Sequence, residues 1–395
     1  MIKEDKMAYN FDAVVNRRAT DSAKWRVYGD DVLPLWVADM DFESPAPIKD
    51  AIIKRVEENV FGYGREPDSF RQILVERMQN LYNWSIQPND IVFLPGLVCG
   101  LNAVSSAIGQ PGDGTLVSSP VYPPFISAPT NQARVTQMAE QQYSLVNGKI
   151  HYEIDFDVFE QTIQSNTSLF ILCNPHNPTG RAYTRSELQR MAEIAVKHNL
   201  IICSDEIHCD LLLGNTQHIP IASLDPEIAK RTITLMAPSK TFNVPGLGCS
   251  LAIIPDEALR KQVQKAASGI VPHINVLGMV AGEAAYGDPE CAAWLSELNK
   301  YLTANRDFLV DYVGKNFPGV KTTSPEATYL AWTDWREVDL GTRAYNFCLE
   351  QAKVAFNDGK NFGNGGDGFL RINMGCSRST LEEALERVRQ ALSKR

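Results

Sequence analysis

Closely spaced cysteine pairs are missing from this sequence. Its eight cysteines, at 99, 173, 203, 209, 249, 291, 348 and 376, are scattered and form no CxxC motif. That argues against a zinc ribbon or a disulfide framework, and thiols buried in a reducing cytoplasm are expected instead. Also missing is any uninterrupted apolar run of the roughly 18 residues that span a bilayer. The opening Met1-Ile-Lys-Glu-Asp-Lys6 has no apolar signal core, so no membrane partner is expected. Positive charge is not in excess either: 38 Lys and Arg stand against 47 Asp and Glu, a net charge of −9. Such a balance gives no nucleic-acid or anionic-membrane surface, although it leaves room for a local cationic pocket. There is no internal repeat and no low-complexity tract. What is there, 395 residues with 44% apolar and 22% charged, suits a globular protein with large cores and length for two or three domains.

Short apolar strands alternate with helical stretches through the middle of the chain. Ile91 to Leu94, Thr115 to Ser118, Val135 to Met138, Leu169 to Cys173, Leu200 to Cys203 and Thr232 to Leu235 read as strands. Leu97 to Ile108 and Glu187 to His198 read as helices, the second with Thr184 as N-cap. Strands apolar on both faces, separated by helices, predict a mainly parallel α/β sheet covered on both sides. Before it, Phe11, Trp25, Tyr28 and Trp36 mark an arm. In that arm Leu35-Trp-Val-Ala-Asp-Met-Asp-Phe42 reads as a short strand, and Ser44 before Pro45 opens a helix over Ile48 to Val56. Gly62-Tyr63-Gly64 reads as a turn. After residue 285 a long helix from Glu290 to Tyr312, strands at Thr328 to Thr333 and Phe369 to Asn373, and a closing helix from Thr380 to Leu392 predict a smaller α+β unit. Five glycines between Gly359 and Gly368 predict a mobile loop at its edge. The expected division is an arm and part of the small domain over 1–47, a large domain over 48–287 and the small domain over 288–395.

Ligands of parallel sheets gather beyond the carboxyl ends of the strands, and polar residues stand there. Asn174-Pro-His-Asn177-Pro-Thr-Gly180 follows one strand, Ser204-Asp205-Glu-Ile-His208 the next, and Ala237-Pro-Ser239-Lys240-Thr-Phe-Asn243 a third. Pro95-Gly96-Leu97-Val98 joins a strand to a helix, which points free N–H groups at an anion. Tyr122 sits between prolines at another strand end, and Arg371 lies within Phe369 to Asn373. Each has a plain reading: a solvated loop lysine, a βα turn that binds nothing, a packed aromatic. Together they supply what pyridoxal phosphate needs. Lys240 is an imine-forming lysine and proton carrier, Asp205 a carboxylate for the pyridine nitrogen, Asn177 a donor to the ring oxygen and Tyr122 a ring to stack on it. Gly96, Leu97 and Val98 cup the phosphate, and Arg371 offers a planar fork to a substrate carboxylate.

The set Tyr122, Asn174 to Gly180, Asp205, Ser239-Lys240 and Arg371 resembles the fold-type I pyridoxal phosphate enzymes, the aminotransferase superfamily, over essentially the whole chain. More narrowly, Asn16-Arg-Arg18, Lys24-Trp25, Trp36 to Phe42, Asp205 to His208 and Ala237 to Asn243 resemble the MalY/PatB family of cystathionine β-lyases, or C–S lyases. The resemblance implies a mainly parallel seven-stranded sheet sandwiched by helices, plus the smaller domain. It implies β-elimination on a cystathionine- or cysteine-type amino acid, giving a thiol, pyruvate and ammonia, within sulfur amino acid metabolism such as methionine biosynthesis. It also implies a homodimer with sites at the subunit interface, Tyr63 reaching the phosphate of the neighbouring subunit's cofactor. Ser239 and His208 then join the cofactor site. Ala38, Asn177 and Tyr122 join Arg371 around the substrate, with Lys240 or Tyr122 delivering a proton.

Three positions depart from the wider aminotransferase pattern. Ala237 stands where a phosphate-binding hydroxyl is common, Gly248 where a phosphate-binding arginine is common, and His208 where tyrosine is common. They suit the lyase branch and leave the phosphate to fewer charged groups. His208 reads equally as a core histidine hydrogen-bonded near Asp205. An aminotransferase, sharing every step through proton removal, is the alternative reading, and a regulatory protein that holds the cofactor is a further one.

Overall fold

The computed structural model describes residues 9–395; the first eight, and with them the opening segment considered for a signal sequence, lie outside the described residues. Seven strands form the main sheet: β1 Ile91–Leu94, β2 Gly114–Ser119, β3 Val135–Glu140, β4 Thr167–Cys173, β5 Ile201–Asp205, β6 Thr232–Met236 and β7 Ser250–Ile253. Their order is β1-β7-β6-β5-β4-β2-β3. The strands from β2 to β6 run parallel, and β7 is antiparallel to both of its neighbours. Successive residues alternate between the faces. Val117, Ile171, Cys203 and Leu235 pack with Leu101 and Val104 of the helix Leu97–Ala107. Leu116, Phe170 and Ile202 pack on the other side with Leu188 and Met191 of Arg185–Lys197. Both faces are covered, which is why these strands carry little polar sequence.

A further core joins the arm to the C-terminal part. Phe11, Leu35, Met40 and Phe42 pack with Trp294, Leu298 and Leu302 of the helix Pro289–Asn316, and with Leu330, Ile372 and Leu385. There β8 Lys321–Thr322, β9 Leu330–Asp334, β10 Asn357–Asp358 and β11 Phe369–Asn373 form a sheet in the order β8-β9-β11-β10. Among the described residues no helix is long and apolar enough to cross a membrane. All eight cysteine thiols are free, and all but Cys99 are buried.

Several local expectations fail. The arm's strand is only Leu33–Pro34, paired in parallel with Val354–Ala355. Leu35 to Phe42 is irregular, because side chains rather than a neighbouring strand take up most of its carbonyls. The helix expected after Ser44 and Pro45 does form, as Ala46–Glu57 with Pro45 at its N-cap, and the Ser44 hydroxyl donates to the Asn243 carbonyl 3.3 Å away. Gly62 to Gly64 is irregular chain without a turn. Helices at Glu257–Ala267 and Val276–Gly287 and a hairpin of Gln142–Val146 with Lys149–Glu153 add to the expected elements.

The glycine-rich stretch from 359 to 368 is packed, not loose. Phe362 is buried with its ring 5.2 Å from that of Trp332. A methyl group on Gly359 would overlap the carbonyl oxygens of Gly366 and Phe369 and the Trp332 ring. These glycines let two backbones pass closely. Gly359→Ala is expected to destabilise the protein by about 2 kcal/mol through that overlap, read by urea unfolding. A loop mobile in solution would accept the methyl group without loss.

Candidate active site

Neighbouring parallel strands end in register. Cys173 of β4 lies opposite Asp205 of β5, which lies opposite Leu235 of β6. The segments that leave these three strands are therefore delivered to one rim. The third of them forms a short helical turn, Pro238–Thr241, rather than an open loop, and Lys240 sits in it. Tyr122 reaches the same rim, its N–H donating to the Asn177 carbonyl at 3.1 Å. Arg371 comes from mid-strand in β11, in the other core, and donates to Asn177 Oδ1 at 3.0 Å. That bond leaves the Asn177 Nδ2 group to donate to a ring oxygen. Lys240 and Asp205 each feel the other's charge. The structure thus brings Lys240, Asp205, Asn177, Tyr122 and Arg371 together.

Three of these are charged groups with no ion-pair partner among the described residues, Arg371 and Asp205 buried and Lys240 half-buried. Arg371, 3% exposed, donates to Asn177, to the Trp36 carbonyl (3.0 Å) and to Asn357 Oδ1 (2.6 Å), all neutral, and its Nε finds no acceptor. Burial pushes its pKa down to about 10. Asp205, 5% exposed, accepts from the Ile207 N–H at 3.1 Å, and burial lifts its pKa to about 7. Lys240 donates to the carbonyl oxygen of Ala38, and burial followed by the charge of Arg371 brings its pKa down to about 8. Uncompensated buried charge is expensive, and its concentration at one rim marks a functional site. The rim has two opposite needs, an anion at Arg371 and a cation at Asp205.

Those needs fit pyridoxal phosphate with an amino-acid substrate. A protonated ring nitrogen would complete Asp205, and a substrate carboxylate would complete Arg371. Gly96 caps the helix Leu97–Ala107 with extended backbone, and a Cβ there would touch no atom of the chain. Its own packing does not call for glycine. The space lies beside the N–H groups of Leu97 and Val98, where an anion is stabilised. Ser239 adds a hydroxyl held by a long bond (3.4 Å) to the Cys249 carbonyl. Gly248 has a local reason to replace arginine: its φ of +59° is left-handed, and a Cβ would sit 3.1 Å from the Pro95 carbonyl.

The remaining expected site residues are placed differently. His208 is buried, edge-on to the Tyr329 ring at 6.0 Å, with Nδ1 unpartnered and no hydrogen bond to Asp205. The hydrogen-bonded core histidine is therefore not what is found. Burial, then the charges of Lys240 and Arg371, lowers its pKa to about 3 and keeps it neutral. Ala38 meets the site through its carbonyl oxygen. Tyr63 stands fully exposed and hydrogen-bonds to none of these groups. Sequence reasoning missed Tyr329, whose hydroxyl donates to the Ala38 carbonyl at 2.9 Å, and Asn357 and Phe362, which hold and underlie the Arg371 guanidinium. Asn373 had a signal, since it lies two residues beyond Arg371 and so on the same strand face.

A rim of this chemistry on a mainly parallel sheet defines the fold-type I, aminotransferase-like class. The chain belongs to the aminotransferase class I and II family, matched over residues 30–388. It is 37% identical to the cystathionine β-lyase PatB of Bacillus subtilis, over 97% of this chain and 100% of that one. Among solved structures, OvoB is 42% identical with a TM-score of 0.92, covering 98% of this chain and 100% of its own. The pyridoxal phosphate-bound C–S lyase from Staphylococcus hominis is 32% identical with a TM-score of 0.90, covering 97% and 98%.

Asp205 sits above its ordinary value of 3.8, so its contribution to stability is complete below that pH and lost as pH rises through about 7. In cofactor-stripped protein, Asp205→Asn is expected to exceed the parent in stability by about 2–4 kcal/mol at pH 8. The gap closes towards pH 4, and urea unfolding across that range reads it.

Proposed function

We infer that the chain is a pyridoxal phosphate-dependent C–S lyase. It cleaves the bond between the β-carbon and sulfur of a cystathionine- or cysteine-type amino acid, releasing a thiol, pyruvate and ammonia. The observation that carries this reading is the trio of unpaired charges at one rim, buried Asp205 and Arg371 with half-buried Lys240. Full-length similarity to PatB and to the Staphylococcus hominis enzyme supports the lyase branch, as do Ala237 and Gly248.

Lys240, Asp205, Asn177, Tyr122, Ser239 and the turn at Gly96, Leu97 and Val98 would hold the cofactor. Pyridoxal phosphate, when bound, supplies an electron sink for the pair left on the substrate α-carbon. Arg371 binds the substrate carboxylate, its plane fixed by Asn357, the Trp36 carbonyl and the Phe362 ring. Lys240 Nζ takes the α-proton, for which a pKa near 8 leaves a usable neutral fraction at neutral pH. As the C–S bond breaks, the sulfur takes a proton from Lys240 Nζ or from the Tyr122 hydroxyl, which burial keeps as a phenol.

The active form on this reading is a homodimer. Its support is Tyr63, fully exposed beside exposed Val60 and Phe61, a surface that a second copy would cover while receiving the Tyr63 hydroxyl at its phosphate. Sedimentation velocity is expected to give twice the chain mass; a monomer at micromolar concentration overturns it. Eight free thiols suit a reducing cytoplasm.

Cofactor-loaded protein given cystathionine and no keto acid is expected to release pyruvate and thiol in equal amounts, and Lys240→Ala to lower that rate at least about 10³-fold. Amino-group transfer that appears only with an added keto acid would make it an aminotransferase. Negligible turnover on every sulfur amino acid would favour a regulatory protein.

A further inference from the structure

The largely buried segment from Trp36 to Phe42 has no regular structure, and carbonyls withdrawn from water need donors. Side chains provide them. Arg371 donates to the Trp36 carbonyl at 3.0 Å, Asn373 Nδ2 to those of Val37 and Asp39 at 2.7 Å each, and the Tyr329 hydroxyl to that of Ala38 at 2.9 Å. All three donors belong to the C-terminal core. Ion pairs fix the segment from the arm: Arg17 reaches Asp39 and Asp41 at 2.9 Å each, and Lys24 reaches Asp41 at 2.7 Å. The segment is a strap, held firmly on that side.

On the side of the main sheet, two side chains of one turn hold it. Lys240 donates to the Ala38 carbonyl. Asn243, three residues on, saturates its whole amide: it accepts from the Met40 N–H (3.0 Å) and donates to the carbonyls of Met40 (2.9 Å) and Phe42 (2.8 Å). It does so from a left-handed backbone, φ +57°, which asparagine adopts more readily than most residues. The lysine contact cannot be permanent, because in a C–S lyase the same amine must leave Ala38 to meet cofactor and substrate. When it leaves, the side-chain hydrogen bonds between turn and strap are those of Asn243, beside the packing of Phe242 and Val244 in the core that holds Met40 and Phe42.

We propose that Asn243 is a positioning residue that ties the 36–42 strap to the Lys240 turn, so that the strap and its Ala38 carbonyl keep their place against that turn while the lysine amine is away and receive it again when it returns. Asn243 touches no reacting atom. It acts through Ala38 and Lys240. The proposal rests on the lyase reading only for the travel of the amine.

Asn243→Gly removes the amide while glycine takes the left-handed backbone freely. Asn243→Asp keeps the acceptor for the Met40 N–H but loses both donors. In cofactor-stripped protein, hydrogen exchange by mass spectrometry is expected to show the amides of 36–42 exchanging about tenfold or more faster in both variants, with those of the helix Pro289–Asn316 unchanged. In loaded protein kcat for thiol release is expected to fall roughly 10- to 100-fold with KM little changed. Unchanged exchange at 36–42, or kcat within about twofold of the parent, overturns the proposal. Exchange is read without turnover, so it decides the tie even where the parent chain releases no thiol, a result that would fall on the lyase reading alone.

Discussion

The site depends on keeping Arg371 and Asp205 out of water, with Lys240 half-buried beside them, without giving any of the three to another. Arg371 and Asp205 have opposite charges, and a direct pair between them would leave nothing for a ligand to complete. Their origins keep them apart. Asp205 ends a strand of the main sheet and is held by the N–H two residues on, while Arg371 is mid-strand in the other sheet. The bonded edges of the guanidinium face neutral acceptors, Asn177, Asn357 and the Trp36 carbonyl. Such charges each cost several kcal/mol, and large apolar cores on both faces of the main sheet and around the long helix offset that. The same cost becomes selectivity when a ligand arrives with matching charges.

Two separately packed cores must then hold a common geometry. The arm does this. It belongs by packing to the C-terminal core, through Leu35, Met40 and Phe42, yet its strap runs along the Lys240 turn. Regular secondary structure would serve poorly here. A strand would turn its carbonyls to another strand, whereas the irregular strap offers them singly to donors on several elements, and one of those donors is the Lys240 amine, the base of the proposed mechanism.

Much of the site was legible because burial on both faces makes a strand an uninterrupted apolar run. The polar residues that follow such a run within a few positions are forced onto the rim, which placed Asn177, Asp205 and Lys240 without any coordinates. What was not legible depends on pairings remote in sequence. Leu35 to Phe42 has strand-like composition, and partners such as Asn243, Tyr329 and Asn373, some two to three hundred residues away, make it a strap. Asn357 meets Arg371 because the register of β10 and β11 sets them opposite each other. The glycines from 359 to 368 have one composition whether they free a loop or let two backbones touch. Val276–Gly287 is apolar nearly all round, so no helical period shows. Its glycines serve close packing, Gly278 against the Leu247 carbonyl and Gly282 against Cys249 and Phe70.

The strap also bears on the proton chemistry. Burial and the charge of Arg371 push the Lys240 amine towards its neutral form, while the negative charges of Asp39 and Asp205 oppose them. A base that strips a carbon acid must be neutral to begin, and an acid that hands a proton to a departing sulfur must then release it. A pKa near 8 serves both, because the amine is divided between its forms close to neutrality. Asp39 is part of the strap and is paired with Arg17, so the segment that encloses the amine also helps set how tightly the amine holds its proton. Enclosure alone would lower that pKa further and leave a ready base but a short-lived proton store. On the proposed mechanism, an enclosing wall that carries its own anion would let the amine keep its proton until the carbon–sulfur bond gives way.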